Sequence, residues 1–95
     1  MRGKEGKVES ALVKAVRRRG GICPKWVSPG LDGVPDRIVL LPGGKAGFVE
    51  LKAPGERPRK LQEARIWQLR RLGYKAYACD REELIEGILD EIEVD

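Results

Sequence analysis

Apolar residues recur at Val8, Ala11, Leu12, Ala15 and Val16, the i, i+3, i+4, i+7, i+8 spacing that lines one side of a helix. Arg17-Arg18-Arg19 then places cations where the helix dipole favours them, and Gly20-Gly21 ends the element. From there the period shortens. Ile22 to Val27 reads as a strand, with Pro24 marking it as an edge because proline cannot donate to a ladder. Ser28 to Val34 is a loop with two glycines and a proline. Asp36 to Leu41 is a second strand, Pro42-Gly43-Gly44-Lys45 a turn, and Ala46 to Ala53 a third strand. The third strand is apolar almost throughout, which predicts cover on both faces.

Pro54 to Lys60 is a basic loop, followed by a helix from Leu61 to Leu72 that Gly73 closes. Leu61, Ala64, Leu69 and Leu72 fall on one side of that helix. Ile66 and Trp67 lie outside the stripe, so Trp67 is either at a subunit contact or part of a wide buried face. Tyr74 to Cys79 is a fourth strand. Asp80 and Glu83 have the spacing of a capping box, ahead of a last helix whose apolar face is Leu84, Ile85, Ile88, Leu89 and Ile92. The order is αβββαβα, with neither an internal repeat nor an interdomain linker. It predicts one α/β domain over residues 1–95, a mixed (α+β) sheet covered by helices.

Composition removes several kinds of chemistry. An apolar content of 41% is that of a folded domain, and no apolar run is long enough for a bilayer. The stretch Met1 to Lys7 has no secretory character, so the expected location is cytoplasmic. The chain has no histidine, which excludes Ser-His and Cys-His triads and imidazole bases. Cys23 and Cys79 stand alone in apolar segments and read as core thiols rather than zinc ligands. Catalysis, if present, runs on carboxylate, lysine and metal. Residues 1–79 hold 18 basic and 7 acidic groups, whereas residues 80–95 hold 1 basic and 8 acidic. A body of charge +11 suits a polyanion or serves solubility alone, and the acidic end is expected to face away from nucleic acid.

Spacing supplies the candidate site. If the second and third strands pair about the Pro42–Lys45 turn with residue numbers summing to 86, Asp36 stands opposite Glu50 on one face, with β-carbons about 5 Å apart. A slip by one residue would send them to opposite faces. Lys52 lies two positions after Glu50 and points the same way. Two carboxylates and the Leu51 carbonyl form a hard oxygen set suited to Mg²⁺ or Mn²⁺, with an ammonium alongside. Such an ion polarises a phosphodiester and acidifies bound water, while Lys52 steadies water or developing charge. Each half of the pattern is ordinary by itself, Gly33-Val34-Pro35-Asp36 as a turn and Glu50-Leu51-Lys52 as a strand alternation. Glu9 either reaches inward to hold a metal-bound water or is a rim charge beside Lys7 and Lys14, and Gln62 either aims back at the site or faces solvent. Arg57, Arg59 and Lys60 can grip phosphates beside the cut, with Lys4, Lys7, Arg17, Arg18 and Arg19 extending the groove.

Pro35-Asp36 and Glu50-Leu51-Lys52 in this element order resemble the PD-(D/E)xK nuclease superfamily. Glu9, the Gly33-Val34-Pro35-Asp36 approach and Gln62 narrow the resemblance to the VRR-NUC family, over about Gly6 to Cys79. The resemblance implies a restriction-endonuclease-like core with an additional C-terminal helix and Mg²⁺- or Mn²⁺-dependent DNA cleavage. It implies metal ligation by Asp36, Glu50 and the Leu51 carbonyl, catalysis by Lys52, and support from Glu9 and Gln62. Small stand-alone members resemble homodimeric resolvases of four-way (Holliday) junctions, and longer eukaryotic relatives are structure-specific DNA-repair nucleases. The expected partners are therefore DNA and a second copy, with no membrane and no small-molecule cofactor. A less selective flap or duplex nuclease and a non-catalytic basic nucleic-acid-binding module remain the alternatives.

Overall fold

Helix α1 spans Gly3–Arg18 and so begins a full turn before its apolar stripe. In the computed structural model, which describes residues 3–94, that stripe buries Val8, Leu12, Ala15 and Val16 completely. The hairpin follows as β1 (Arg37–Leu41) and β2 (Lys45–Leu51), then α2 (Lys60–Arg71), β3 (Ala76–Cys79) and α3 (Ile85–Glu93). The sheet is mixed, in the order β1-β2-β3, antiparallel between β1 and β2 and parallel between β2 and β3. Three helices on a three-stranded mixed sheet make this an α+β fold.

Side chains alternate along the strands and divide the molecule into two layers. Val39, Leu41, Val49, Leu51 and Cys79 face α1 and α3, where they join Leu12, Val16, Ile85, Leu89 and Ile92 in one core. Gly47 lets α3 approach, since a β-carbon there would lie 2.7 Å from the Ile92 side chain. Phe48, Glu50 and Ala78 fall on the opposite face, over which α2 packs.

Three elements differ from the sequence expectation. The strand expected over Ile22–Val27 survives only as isolated bridges, Ile22 to Leu40 and Lys25 to Arg37. Ile22 and Leu40 exchange both backbone bonds at 3.0 Å, and the Ile38 N–H donates to the Pro24 carbonyl at 2.9 Å. Proline has no N–H to return, so the ladder stops there. The segment still holds the entrance to β1, because the Trp26 N–H donates to the Asp36 carbonyl at 2.9 Å.

Helix α2 is rotated from its apparent stripe. Gln62 and Ile66 are its buried positions, while Leu61 and Leu72 are 50% and 66% exposed. The Arg59 N–H donates to Gln62 Oε1 at 2.8 Å, which turns Gln62 inward at the helix start and brings Ile66 to the sheet one turn later. The Asp80–Glu83 capping box does not form. Asp80 instead accepts from the Gly55 N–H at 3.1 Å and from Arg81, and a 3₁₀ turn over Glu82–Leu84 leads into α3 with Leu84 exposed. Among the described residues no helix is long and apolar enough to cross a membrane.

Candidate active site

The hairpin register is the one with residue numbers summing to 86. Arg37 pairs with Val49 and Ile38 with Phe48, so Asp36, one residue before β1, faces Glu50. The two carboxylates share the α2 side of the sheet. The Leu51 N–H donates to Asp36 Oδ2 at 2.8 Å, which fixes the aspartate across the hairpin end. Just past β2, Lys52 brings its Nζ to 3.5 Å from Glu50 Oε2. The nearby Lys52 N–H donates to the Cys79 carbonyl at 3.0 Å, holding the lysine backbone against β3.

Glu50 is a buried carboxylate with a second acid beside it. It is 1% exposed, and its Oε1 is buried with no hydrogen-bond partner among the described residues. Burial and then the charge of Asp36 raise its pKa from 4.5 to about 7, with Lys52 opposing and Glu5 adding to the shift. A buried carboxylate oxygen left unpaired is costly unless something cationic reaches it. Lys52 supplies one positive charge for two carboxylates. Asp36 and Glu50, with the peptide oxygen of Leu51 between Glu50 and Lys52 in the chain, are the groups that could hold a divalent ion here. Among the described residues no group of three or more acidic or sulfur ligands converges. The protein can thus offer two carboxylates and a peptide oxygen, a set that leaves positions for water and phosphate oxygens.

Glu9 is buried against Arg37, whose Nε and Nη2 donate to its Oε2 at 3.0 and 2.9 Å. Arg37 Nη1 also donates to the Cys23 carbonyl at 2.7 Å. The acidic residue of α1 whose charge bears on Glu50 is Glu5, one turn earlier. Glu5 and Glu9 are an i, i+4 pair on one flank of the helix, so extending the predicted helix back by a turn would have found it.

Gln62 is buried, with its carbonyl oxygen committed to capping α2 rather than shown reaching a ligand. It lines a cavity of about 450 Å³ with Asp32, Gly33, Arg59 and Leu61. Arg57 and Arg59 are exposed on the loop that leaves the site, Lys60 is exposed at the start of α2, and Lys7 is exposed on α1. The side chain of Lys4 lies outside those described. The arginines at the end of α1 are elsewhere. Arg19 meets Glu86 at 2.6 Å, Asp90 at 2.9 Å and Glu93 at 3.2 Å, and Arg18 lies 3.8 Å from Glu86. Gly20 sits beside Pro42 of the hairpin turn, and five residues of strand separate that turn from Glu50, about 17 Å. Arg18 and Arg19 therefore flank the acidic helix at the far end of the hairpin, with Arg17 exposed in the last turn of α1, and Arg19 is spent on α3.

The VRR-NUC domain profile matches residues 4–82. The chain belongs to the VRR-NUC family. A solved VRR-NUC domain structure superposes with a TM-score of 0.85 at 26% identity, covering 92% of this chain and 95% of the other. The chain is also 48% identical over 81 residues to a protein of Acyrthosiphon pisum secondary endosymbiont phage 1 named "Putative nuclease p44", spanning 85% of this chain and 87% of that one. A VRR-NUC fold here places its paired carboxylates and lysine at the open end of the hairpin, on the side away from the main core.

Proposed function

We propose that this protein is a Mg²⁺- or Mn²⁺-dependent endodeoxyribonuclease that cuts four-way DNA junctions as a homodimer. One observation carries the reading: Glu50 Oε1 is buried and unpartnered among the described residues, beside Asp36 and within a VRR-NUC fold. Asp36, Glu50 and the Leu51 carbonyl are the donors for the ion. When bound, the ion supplies Lewis acidity to the scissile phosphate and a water of lowered pKa. Lys52 keeps its ammonium at the site through Glu50, where it donates to attacking water or to a phosphoryl oxygen gaining charge. Asp36 holds its orientation through the Leu51 N–H, and Glu5 adds negative charge that favours cation entry. Arg57, Arg59 and Lys60 hold flanking phosphates without reading bases.

One site cuts one strand, and a two-fold pair of sites matches a symmetric junction. The outward side of α2, with Leu61 and Leu72 exposed, is the surface proposed for that pairing. The experiment incubates labelled four-way junction, flap and linear duplex with Mg²⁺, Mn²⁺ or EDTA. Paired symmetric nicks on the junction alone, abolished by EDTA, are the expected result. Equal cutting of all three substrates identifies a less selective nuclease. DNA binding without cutting, indifferent to chelator, identifies a basic binding module.

A further inference from the structure

Next to Glu50 on the same side of the sheet lies a cavity of about 190 Å³, lined by Pro58, Glu63, Ile66, Trp67, Arg70 and Ala78. In the parallel register Ala78 is the direct neighbour of Glu50, so this hollow begins one strand away, at about 4.8 Å of backbone separation. Its lining includes Pro58, on the loop that also carries Arg57 and Arg59. Trp67 forms the wall and is 62% exposed. An indole this exposed is unusual in a small domain, and here it is braced. The Arg70 guanidinium lies 5.7 Å from the Trp67 ring centre and 5.6 Å from that of Tyr77, and Arg70 Nε donates to the Ala76 carbonyl at 2.8 Å.

We propose that the Trp67–Arg70 shelf stacks one unpaired nucleobase of the nucleotide flanking the scissile phosphate. The inference takes from the nuclease reading only the premise that nucleic acid crosses Glu50. The volume is well below the 300 Å³ or more typical of sites for larger ligands and suits a single planar ring system. Glu63 on the rim disfavours a phosphate in the hollow and offers an acceptor to a base N–H, whereas the exposed cations of the loop suit the backbone. Stacking is indifferent to base identity, so the shelf selects for an unpaired nucleotide rather than a sequence. A base inside an intact duplex reaches it only after unpairing, which costs a few kcal/mol. Trp67 lies about 120° around α2 from Leu61 and Leu72, so the shelf and the proposed subunit surface are separate.

The test measures anisotropy of fluorescein-labelled oligothymidine and of a paired duplex in EDTA, with wild type, Trp67→Ala, Trp67→Phe and Leu72→Ala. Trp67→Ala is expected to weaken the single strand about 5- to 150-fold relative to duplex, the range for loss of one stacked base. Trp67→Phe should recover most of that affinity, and Leu72→Ala should bind the single strand as wild type does. Unchanged single-strand affinity in Trp67→Ala overturns the proposal, as does an equal loss for single strand and duplex. If Trp67→Ala instead converts a sedimenting dimer to monomer with its single-strand affinity intact, the indole lies between subunits and the proposal fails. Binding in chelator is independent of cleavage. A wild type that binds through Trp67 but cuts nothing sinks the nuclease reading alone, and one that cuts with Trp67 immaterial to binding sinks the shelf alone.

Discussion

The two ends of the β-hairpin handle charge in opposite ways. At the turn end, Arg19 lies among Glu86, Asp90 and Glu93 on the surface, one cation answered by three acids of α3. At the open end, Asp36 and Glu50 stand together with Lys52, and one Glu50 oxygen has no partner among the described residues. The first cluster has surplus acid too, but its acids are exposed and water screens them. In the second the surplus charge falls on a buried carboxyl. Between them Glu9 and Arg37 form a buried pair, as Glu50 and Lys52 do at 3.5 Å. What sets the open end apart is a second acid, Asp36, whose charge adds to burial in raising the Glu50 pKa to about 7.

Breaking the open end should have the largest effect. Asp36→Ala and Lys52→Ala should each slow junction cleavage by roughly 10³-fold or more, because the interactions removed serve the transition state. Lys52→Ala should retain DNA affinity within a few-fold in a gel-shift assay. Next comes the buried structural pair. Arg37→Ala strands the buried Glu9 and should cost about 3 kcal/mol in urea unfolding, the usual consequence of leaving one buried partner charged.

The charge imbalance at Glu50 gives a smaller, pH-dependent effect. Its folded pKa is raised to about 7, so the folded state holds this proton where the unfolded chain has released it. The group's contribution is therefore fully present below about pH 4.5 and is lost as pH rises through 7. Metal-free protein should lose roughly 2–3 kcal/mol from this source between pH 5 and 8. Glu50→Gln should flatten that slope and be the more stable protein at pH 8, as read from thermal melts in EDTA. Smallest of all is the turn end. Arg19→Ala should cost at most about 1 kcal/mol, since the pairs are surface ones. It should leave DNA affinity unchanged, in contrast to Arg57→Ala or Arg59→Ala.

The open end was readable in the sequence because one turn, Pro42 to Lys45, fixes the pairing of β1 with β2, and pairing alone decides that Asp36 meets Glu50. The face of α3 was readable for a similar reason, since Ile85, Ile88, Leu89 and Ile92 are buried by a single period. What was hidden depended on contacts between distant segments. A polar residue, Gln62, sets the rotation of α2 by capping it, so a count of leucines chose the wrong side. Pro24 reduces an apolar run to two bridges by withholding one donor. Glu9 lay beside the apolar stripe, yet its direction is decided by Arg37, a residue 28 positions away. Glu5 went unnoticed because α1 begins before its first core residue.

Calorimetric titration of Mn²⁺ at pH 6 into wild type, Asp36→Asn and Glu50→Gln addresses the pairing of these two acids most directly. Saturable binding accompanied by proton release in the wild type, and lost in both variants, is the expected result, since a partly protonated Glu50 must give up its proton to become a ligand. Equal Mn²⁺ affinity in all three proteins would contradict the account.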